Sequence, residues 1–212
     1  PWGRAAEELG IPYIVLHKEC FKPSILQTSE EIRKLQERVG YFAGSLVIVH
    51  NEPTRRKFID HGIVDSKLIR SEGCMRMDSL VTSRNRAFGF RGAKTITLFS
   101  FTHPAFSFER TGPFPENPYL GFIRLFSRVH VAIAQLAEEN PDYSVRIKAK
   151  WGGKAYKQVA LALAAADIDI DSIQNLVFTS DCDAHELIRK SDVICGFQST
   201  TLLEAGICGK FI

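Results

Sequence analysis

Ser199, Thr200 and Thr201, followed by Glu204, form the densest group of chemistry-bearing residues in the chain. An apolar run from Val193 to Cys195 leads into Gly196 and a polar stretch. Ser199 then opens a segment that reads as a helix closing at Gly209, ahead of a second apolar strand at residues 210–212. At the carboxyl edge of a parallel sheet, a helix start offers free backbone N–H groups and the positive end of its dipole. Together these favour an anion, phosphate above all. With Ser199 as the N-cap, Thr200 and Glu204 stand four residues apart and share one helix face, the hydroxyl at the anion end and the carboxylate a turn deeper. That placement suits a nucleotide, with the diphosphate at the helix tip, near Gly196 and the three hydroxyls, and ribose hydroxyls donating to Glu204. The plainer alternative makes Ser199 a simple cap and Glu204 a solvated helix residue.

Three further predicted strand ends carry such residues, and in a parallel α/β sheet a strand end is the ligand edge. His17 and Glu19 follow the β-rich run 11–16 and could serve as an acid or base toward a substrate hydroxyl, or mark a polar strand boundary. His103 follows the run 94–101 and could donate to a phosphate, or sit in an ordinary turn before Pro104. Lys150 precedes Gly152 and Gly153, so a point cation beside a flexible pair could clamp a phosphate; Lys148 lies on the same strand face.

The elements that must position these groups alternate along the chain. A helix over 4–9 ends at Gly10 before the strand at 11–16. Thr28-Ser29-Glu30-Glu31 reads as a capping box ahead of an Ile32, Leu35, Val39 stripe that Gly40 closes. A buried strand spans 46–49, and Pro53 fits the first position of a helix that runs to Gly62. Leu68 and Ile69 form a weaker strand before a turn that carries Arg76 and Asp78, either an interdomain ion pair or solvated turn residues. Residues 79–92, of mixed charge and no period, read as a linker. A strand at 94–101 opens the second half, and the breaker-rich stretch 111–119 reads as a loop over a cleft. Phe122, Leu125, Phe126, Val129, Ile133, Leu136 and Ala137 then step by three and four as a helix. Alternation over 144–150 marks a strand, 156–166 a helix and 175–179 a strand. Asp181 or Asp183 caps a helix that reaches Lys190.

The run Ser191-Asp192-Val193-Ile194-Cys195-Gly196, then Ser199-Thr200, Glu204-Ala205 and Gly209-Lys210, resembles the donor-nucleotide segment of GT-B type glycosyltransferases. It is also similar to the equivalent segment of non-hydrolysing UDP-N-acetylglucosamine 2-epimerases and of bacterial surface- or capsule-polysaccharide biosynthesis proteins. In that group the Ser/Thr residues contact the nucleotide phosphates and the Glu binds the ribose, which falls here on Ser199, Thr200 and Glu204. The resemblance implies an α/β chain of two Rossmann-like domains whose parallel sheets face a cleft. Residues 1–85 would be the end of the acceptor-side domain plus linker, and 86–212 the donor domain. It implies transfer of a sugar from a nucleotide-sugar to a glycan or lipid-linked acceptor in surface polysaccharide biosynthesis, with the nucleotide-sugar as substrate and no cofactor or metal. A cytoplasmic place follows, at the inner face of the membrane, with peripheral association through parts outside the chain. The epimerase pattern prefers two or three serines followed by Gly, where this chain has Ser199-Thr200-Thr201-Leu202. The alternatives are an epimerase acting on the same donor class and a non-catalytic nucleotide-sugar or polysaccharide-binding module.

Composition narrows the field further. The 212 residues are 45% hydrophobic and 24% charged, ordinary for a globular protein with a real core. Its 27 basic and 24 acidic residues leave a net charge of +3 with no basic run, which speaks against a nucleic-acid partner. The five cysteines form no CxxC and no metal spacing with His, so they read as reduced thiols. No apolar run approaches the roughly 18 residues of a membrane span. A start without Met and a stop within an apolar run lead us to expect a piece of a longer protein, cut at both ends.

Overall fold

The computed structural model describes residues 2–17, 25–82, 92, 94–101, 118–149, 153–197 and 199–212. Glu19, His103 and Lys150 lie outside the described residues, as does the stretch 111–117 of the expected loop. In chain order the elements are α1 (Trp2–Glu8), β1 (Ile14–Leu16), α2 (Ile25–Val39), β2 (Leu46–Val49), α3 (Glu52–Asp60), β3 (Ile69–Ser71) and α4 (Asp78–Thr82). There follow β4 (Thr95–Phe99), α5 (Pro118–Glu139), β5 (Ser144–Lys148), α6 (Lys154–Ala164), β6 (Leu176–Thr179), α7 (Ala184–Lys190), β7 (Val193–Gly196) and α8 (Thr200–Ile207). They divide into two compact units, Pro1–Asp78 and Ser79–Ile212.

The first unit is built on a parallel three-stranded sheet, order β1-β2-β3, with Val47 registered between Val15 and Ile69. Val47 and Val49 bury against Ile32 of α2, Phe58 of α3 and Ile63, because β-branched side chains at alternate positions share one sheet face. Asn51 caps α3, its side-chain oxygen accepting from Thr54 N at 2.8 Å, and Pro53 sits in the first turn, where a missing N–H costs nothing. Gly62, at φ +65, ends that helix in the left-handed region.

Three expectations fail in this unit and one beyond it. The strand expected over 11–16 is confined to β1, since Pro12 has no N–H to place in a ladder. Thr28 is no cap: α2 begins at Ile25, which places Thr28 and Glu31 of the expected capping box inside the helix, and the neighbouring Glu30 pairs with Arg33 and Lys34 on the exposed side. Val39, expected in the apolar stripe with Ile32 and Leu35, is exposed. Residues 78–82, mostly within the expected linker, form α4, whose Leu80 is completely buried among second-unit residues.

The second unit carries a parallel four-stranded sheet in the order β6-β5-β4-β7. Numbered within the unit, the strands run third, second, first, fourth, so the direction of winding reverses between β4 and β7. Such a reversal sends the two following connections to opposite faces and opens a crevice at the strands' carboxyl ends. On one face Leu98, Val145 and Ile147 pack under Ile133 and Ala137 of α5 and Val159 and Leu163 of α6. On the other, Phe99 and Ile194 meet Leu187 and Ile188 of α7 and Ala205 and Cys208 of α8. Burying each large aliphatic side chain of this kind contributes roughly 1.5–3 kcal/mol.

Polar groups lock this core where strands begin. Asp192 Oδ2 accepts from Lys94 N at 3.0 Å and Thr95 N at 2.9 Å, tying the start of β4 to that of β7. Buried Ser191 donates to Leu187 O and accepts from Thr97, both at 2.7 Å. Beyond β7, the expected strand at 210–212 reduces to one parallel bridge, Val193 with Phe211. Among the described residues no helix is long and apolar enough to cross a membrane.

Candidate functional site

The crevice position between β4 and β7 is where Gly196 ends its strand, paired with Phe99. A Cβ on Gly196 would stand 3.3 Å from Leu202 Cδ2 and 3.7 Å from Phe99 O, so the missing side chain lets the first turn of α8 settle close over the strand end. Ser199 caps α8 with extended backbone, φ −111 and ψ 142. Its Oγ accepts from Thr201 N at 3.3 Å and from the Thr201 hydroxyl at 2.7 Å. Both lone pairs of the Ser199 oxygen are thereby engaged, and its own proton remains to be donated. A hydroxyl in that state, at the positive end of a helix, is matched to an anionic acceptor. Thr200 and Thr201 are half-buried in the same turn.

Glu204, one turn on, is not the solvated residue of the plainer alternative. Its side chain is only 1% exposed, and Oε2 lies 3.4 Å from His185 Nε2 in the first turn of α7. Asp183 rather than Asp181 caps α7, accepting from Glu186 N at 2.9 Å. A buried carboxylate requires polar partners, and α7 supplies one. His185 was not legible from spacing: it is 19 positions from Glu204, and only the stacking of α7 on α8 brings them together.

The neighbouring strand ends hold a second polar pair. His130 of α5, fully buried, points Nδ1 at Phe126 O at 2.7 Å, and its Nε2 lies 2.9 Å from Ser100 Oγ just after β4. Nδ1 therefore carries the proton and Nε2 accepts from the serine hydroxyl. Burial pushes the His130 pKa down, against the opposing hydrogen bond to Phe126 O, so the ring is neutral at neutral pH. A serine donating to a neutral imidazole has the form of an activated nucleophile. Here, however, both residues are buried and the ring is held by a main-chain carbonyl, and the pair joins the end of β4 to α5.

Lys148, named beside Lys150 as a phosphate clamp, donates its ammonium protons to Ala149 O and Ser180 O, joining the ends of β5 and β6. In the first unit, His17 follows β1, donates its backbone N–H to Ile48 O at 2.8 Å and sets its ring edge-on to Phe58, centroids 5.0 Å apart. Arg76 and Asp78 are both exposed. Cys74, Cys182, Cys195 and Cys208 are free thiols, and burial pushes the Cys195 pKa up, away from a nucleophile's range. An apolar groove of about 470 Å³ lies between α5 and β7, lined by Val129, Ile133, Leu136, Cys195, Leu202 and Ile212 among others. Among the described residues its lining carries no charged side chain. Among the described residues no cluster of His, Cys, Asp and Glu could hold a metal ion.

No protein-family model matches the sequence, and no curated protein matches it. Among solved structures, the chain is similar to the UDP-GlcNAc 2-epimerase from Neisseria meningitidis, crystallised with UDP-GlcNAc bound, at a TM-score of 0.59 and 16% identity. The superposition covers 98% of this chain and 54% of that one, so the chain spans about half the length of the epimerase. With its two parallel sheets and that neighbour, the chain has an α/β, GT-B-like fold of Rossmann-like units.

Proposed function

We propose that the second unit binds the nucleoside diphosphate part of a nucleotide-sugar, and that the protein transfers the sugar to a glycan or lipid-linked acceptor. The observation that carries the reading is the Ser199 hydroxyl, a donor at the tip of α8 beside the winding reversal of a parallel sheet, with Glu204 one turn deeper. The similar epimerase, solved with UDP-GlcNAc, supports the ligand class. In the proposed reaction the acceptor oxygen forms a bond to the anomeric carbon while the bond from that carbon to the diphosphate breaks. The electron pair leaves with the diphosphate. Negative charge builds on it, and Ser199, Thr200, Thr201 and the first N–H groups of α8 stabilise that charge, with Lys150 and His103 proposed as further donors. Glu204 accepts from the ribose hydroxyls. The acceptor's proton passes to a base, for which His17 and Glu19 are the candidates.

A second reading, inversion at a sugar carbon of the free nucleotide-sugar, is favoured by the activity of the structural neighbour. The run Ser199-Thr200-Thr201-Leu202, where the epimerase pattern has serines followed by Gly, favours transfer.

Calorimetric titration with a panel of nucleoside diphosphates and their sugars tests the ligand class. The expected result is binding that Glu204→Ala weakens by about 1–3 kcal/mol through lost hydrogen bonds to the ribose. Unchanged affinity removes Glu204 from the site. Product analysis then separates the reactions: release of nucleotide with growth of an acceptor identifies transfer, and an altered free nucleotide-sugar identifies epimerisation.

A further inference from the structure

The structure assigns His185 as a positioning residue that holds the Glu204 carboxylate in place for a ribose diol, and so makes the site select ribonucleotides over deoxyribonucleotides. This rests on the reading of Glu204 as the ribose contact. A glutamate side chain has three rotatable bonds, and a carboxylate that must accept from two adjacent hydroxyls gains from being held before the ligand arrives. Leu187 and Ile188 of α7 pack with Ala205 and Cys208 of α8, so the two helices are fixed to each other by apolar contact. His185 sits one turn before Ile188 and faces Glu204 at 3.4 Å, with its side chain 17% exposed. The imidazole beside that oxygen restricts the rotation of the carboxylate, which offers acceptor oxygens. Hydroxyl donors are what such a group recognises, and a 2′-deoxy sugar brings one fewer.

The test uses UDP, 2′-deoxy-UDP and 3′-deoxy-UDP, titrated calorimetrically into the wild-type protein and into His185→Ala, His185→Gln and Glu204→Ala. Wild type should prefer UDP over each deoxy form by about tenfold or more, the scale of a hydrogen bond to a charged group. His185→Ala should bring that preference to within about threefold, as Glu204→Ala does, while affinity for the deoxy forms, each of which keeps one hydroxyl for the carboxylate, falls by less than affinity for UDP. His185→Gln, which retains an N–H donor, should recover a clear preference for UDP and carries the test if the alanine variant melts early. A merely structural role would lower affinity for all three nucleotides by one factor and leave the ratio intact. An unchanged ratio in a folded His185→Ala whose Glu204→Ala counterpart has lost it overturns the assignment of His185 alone. If wild type binds no UDP, or Glu204→Ala leaves the ratio untouched, the ribose reading fails and the assignment falls with it.

Discussion

Replacing Asp192 by Asn tests whether the second unit depends on a carboxylate at the start of its sheet. Oδ2 of Asp192 accepts from the backbone N–H groups of Lys94 and Thr95 at 3.0 and 2.9 Å. Hydrogen bonds to an ionised group contribute about 1.5–3 kcal/mol each. The site is half-buried and the Lys94 N–H can be rehydrated, which sets the whole clamp at about 2–3 kcal/mol. Asn keeps an acceptor oxygen and loses the charge, so Asp192→Asn should cost about 1 kcal/mol, and Asp192→Ala about 2–3 kcal/mol. Burial opposes ionisation of Asp192 most strongly, but the two backbone donors and the charge of Lys210 outweigh it, and the pKa lies below its ordinary value. A carboxyl with a depressed folded pKa binds fewer protons folded than unfolded. Its contribution is complete above the unfolded value of about 3.9 and is lost as pH falls through the folded one. Urea unfolding followed by far-ultraviolet circular dichroism should therefore show a constant gap between wild type and Asp192→Asn from about pH 7 to pH 5, narrowing below about pH 4. No gap at neutral pH, or a gap of the same size in acid, refutes the clamp.

Further outcomes are expected at three positions. Ser199→Ala should lose the cap of α8 and about 1 kcal/mol of stability. Ser199→Asp should keep the cap and the stability yet abolish binding of nucleoside diphosphates, measurable by pairing thermal melts with titration; diphosphate binding by the Asp variant would place the phosphate elsewhere. His130, whose pKa burial lowers, binds fewer protons folded than unfolded. Wild type should therefore lose stability as pH falls below about 6.5 by more than His130→Gln does, a comparison of urea midpoints at pH 7 and 5.5. Ile147→Ala, a truncation at a fully buried central-sheet position, should cost about 2–5 kcal/mol in equilibrium unfolding.

Where a signal is local, the sequence carries it. Asn51, Asp183 and Ser199 each cap a helix through their own side chains within two or three residues. Leu46–Val49 is a strand as its β-branched run demands, and Gly40, Gly62 and Gly209 turn the chain at positive φ. Thr28 misleads because a capping pattern inside a run of helix-compatible residues has no means of stopping the helix from starting earlier. Residues 78–82 mislead because five residues hold too little periodicity to register, and α4 exists through the burial of Leu80 among residues that, Phe99 apart, lie more than a hundred positions later. The same limit applies to the site. Ser199, Thr201 and Glu204 share a helix turn and can be grouped from spacing, whereas His185 beside Glu204 and Ser100 beside His130 are products of helix packing. Asp192 belongs to the run that resembles the donor segment, yet its visible task is to seat the first strand of the sheet.

Because the chain reverses its winding between β4 and β7, the hollow at their ends is a product of connectivity and survives replacement of any side chain around it. Lineages built on this plan can retain the address of a ligand while rewriting nearly every residue that touches it. A chain 16% identical to a structural neighbour can thus keep its fold.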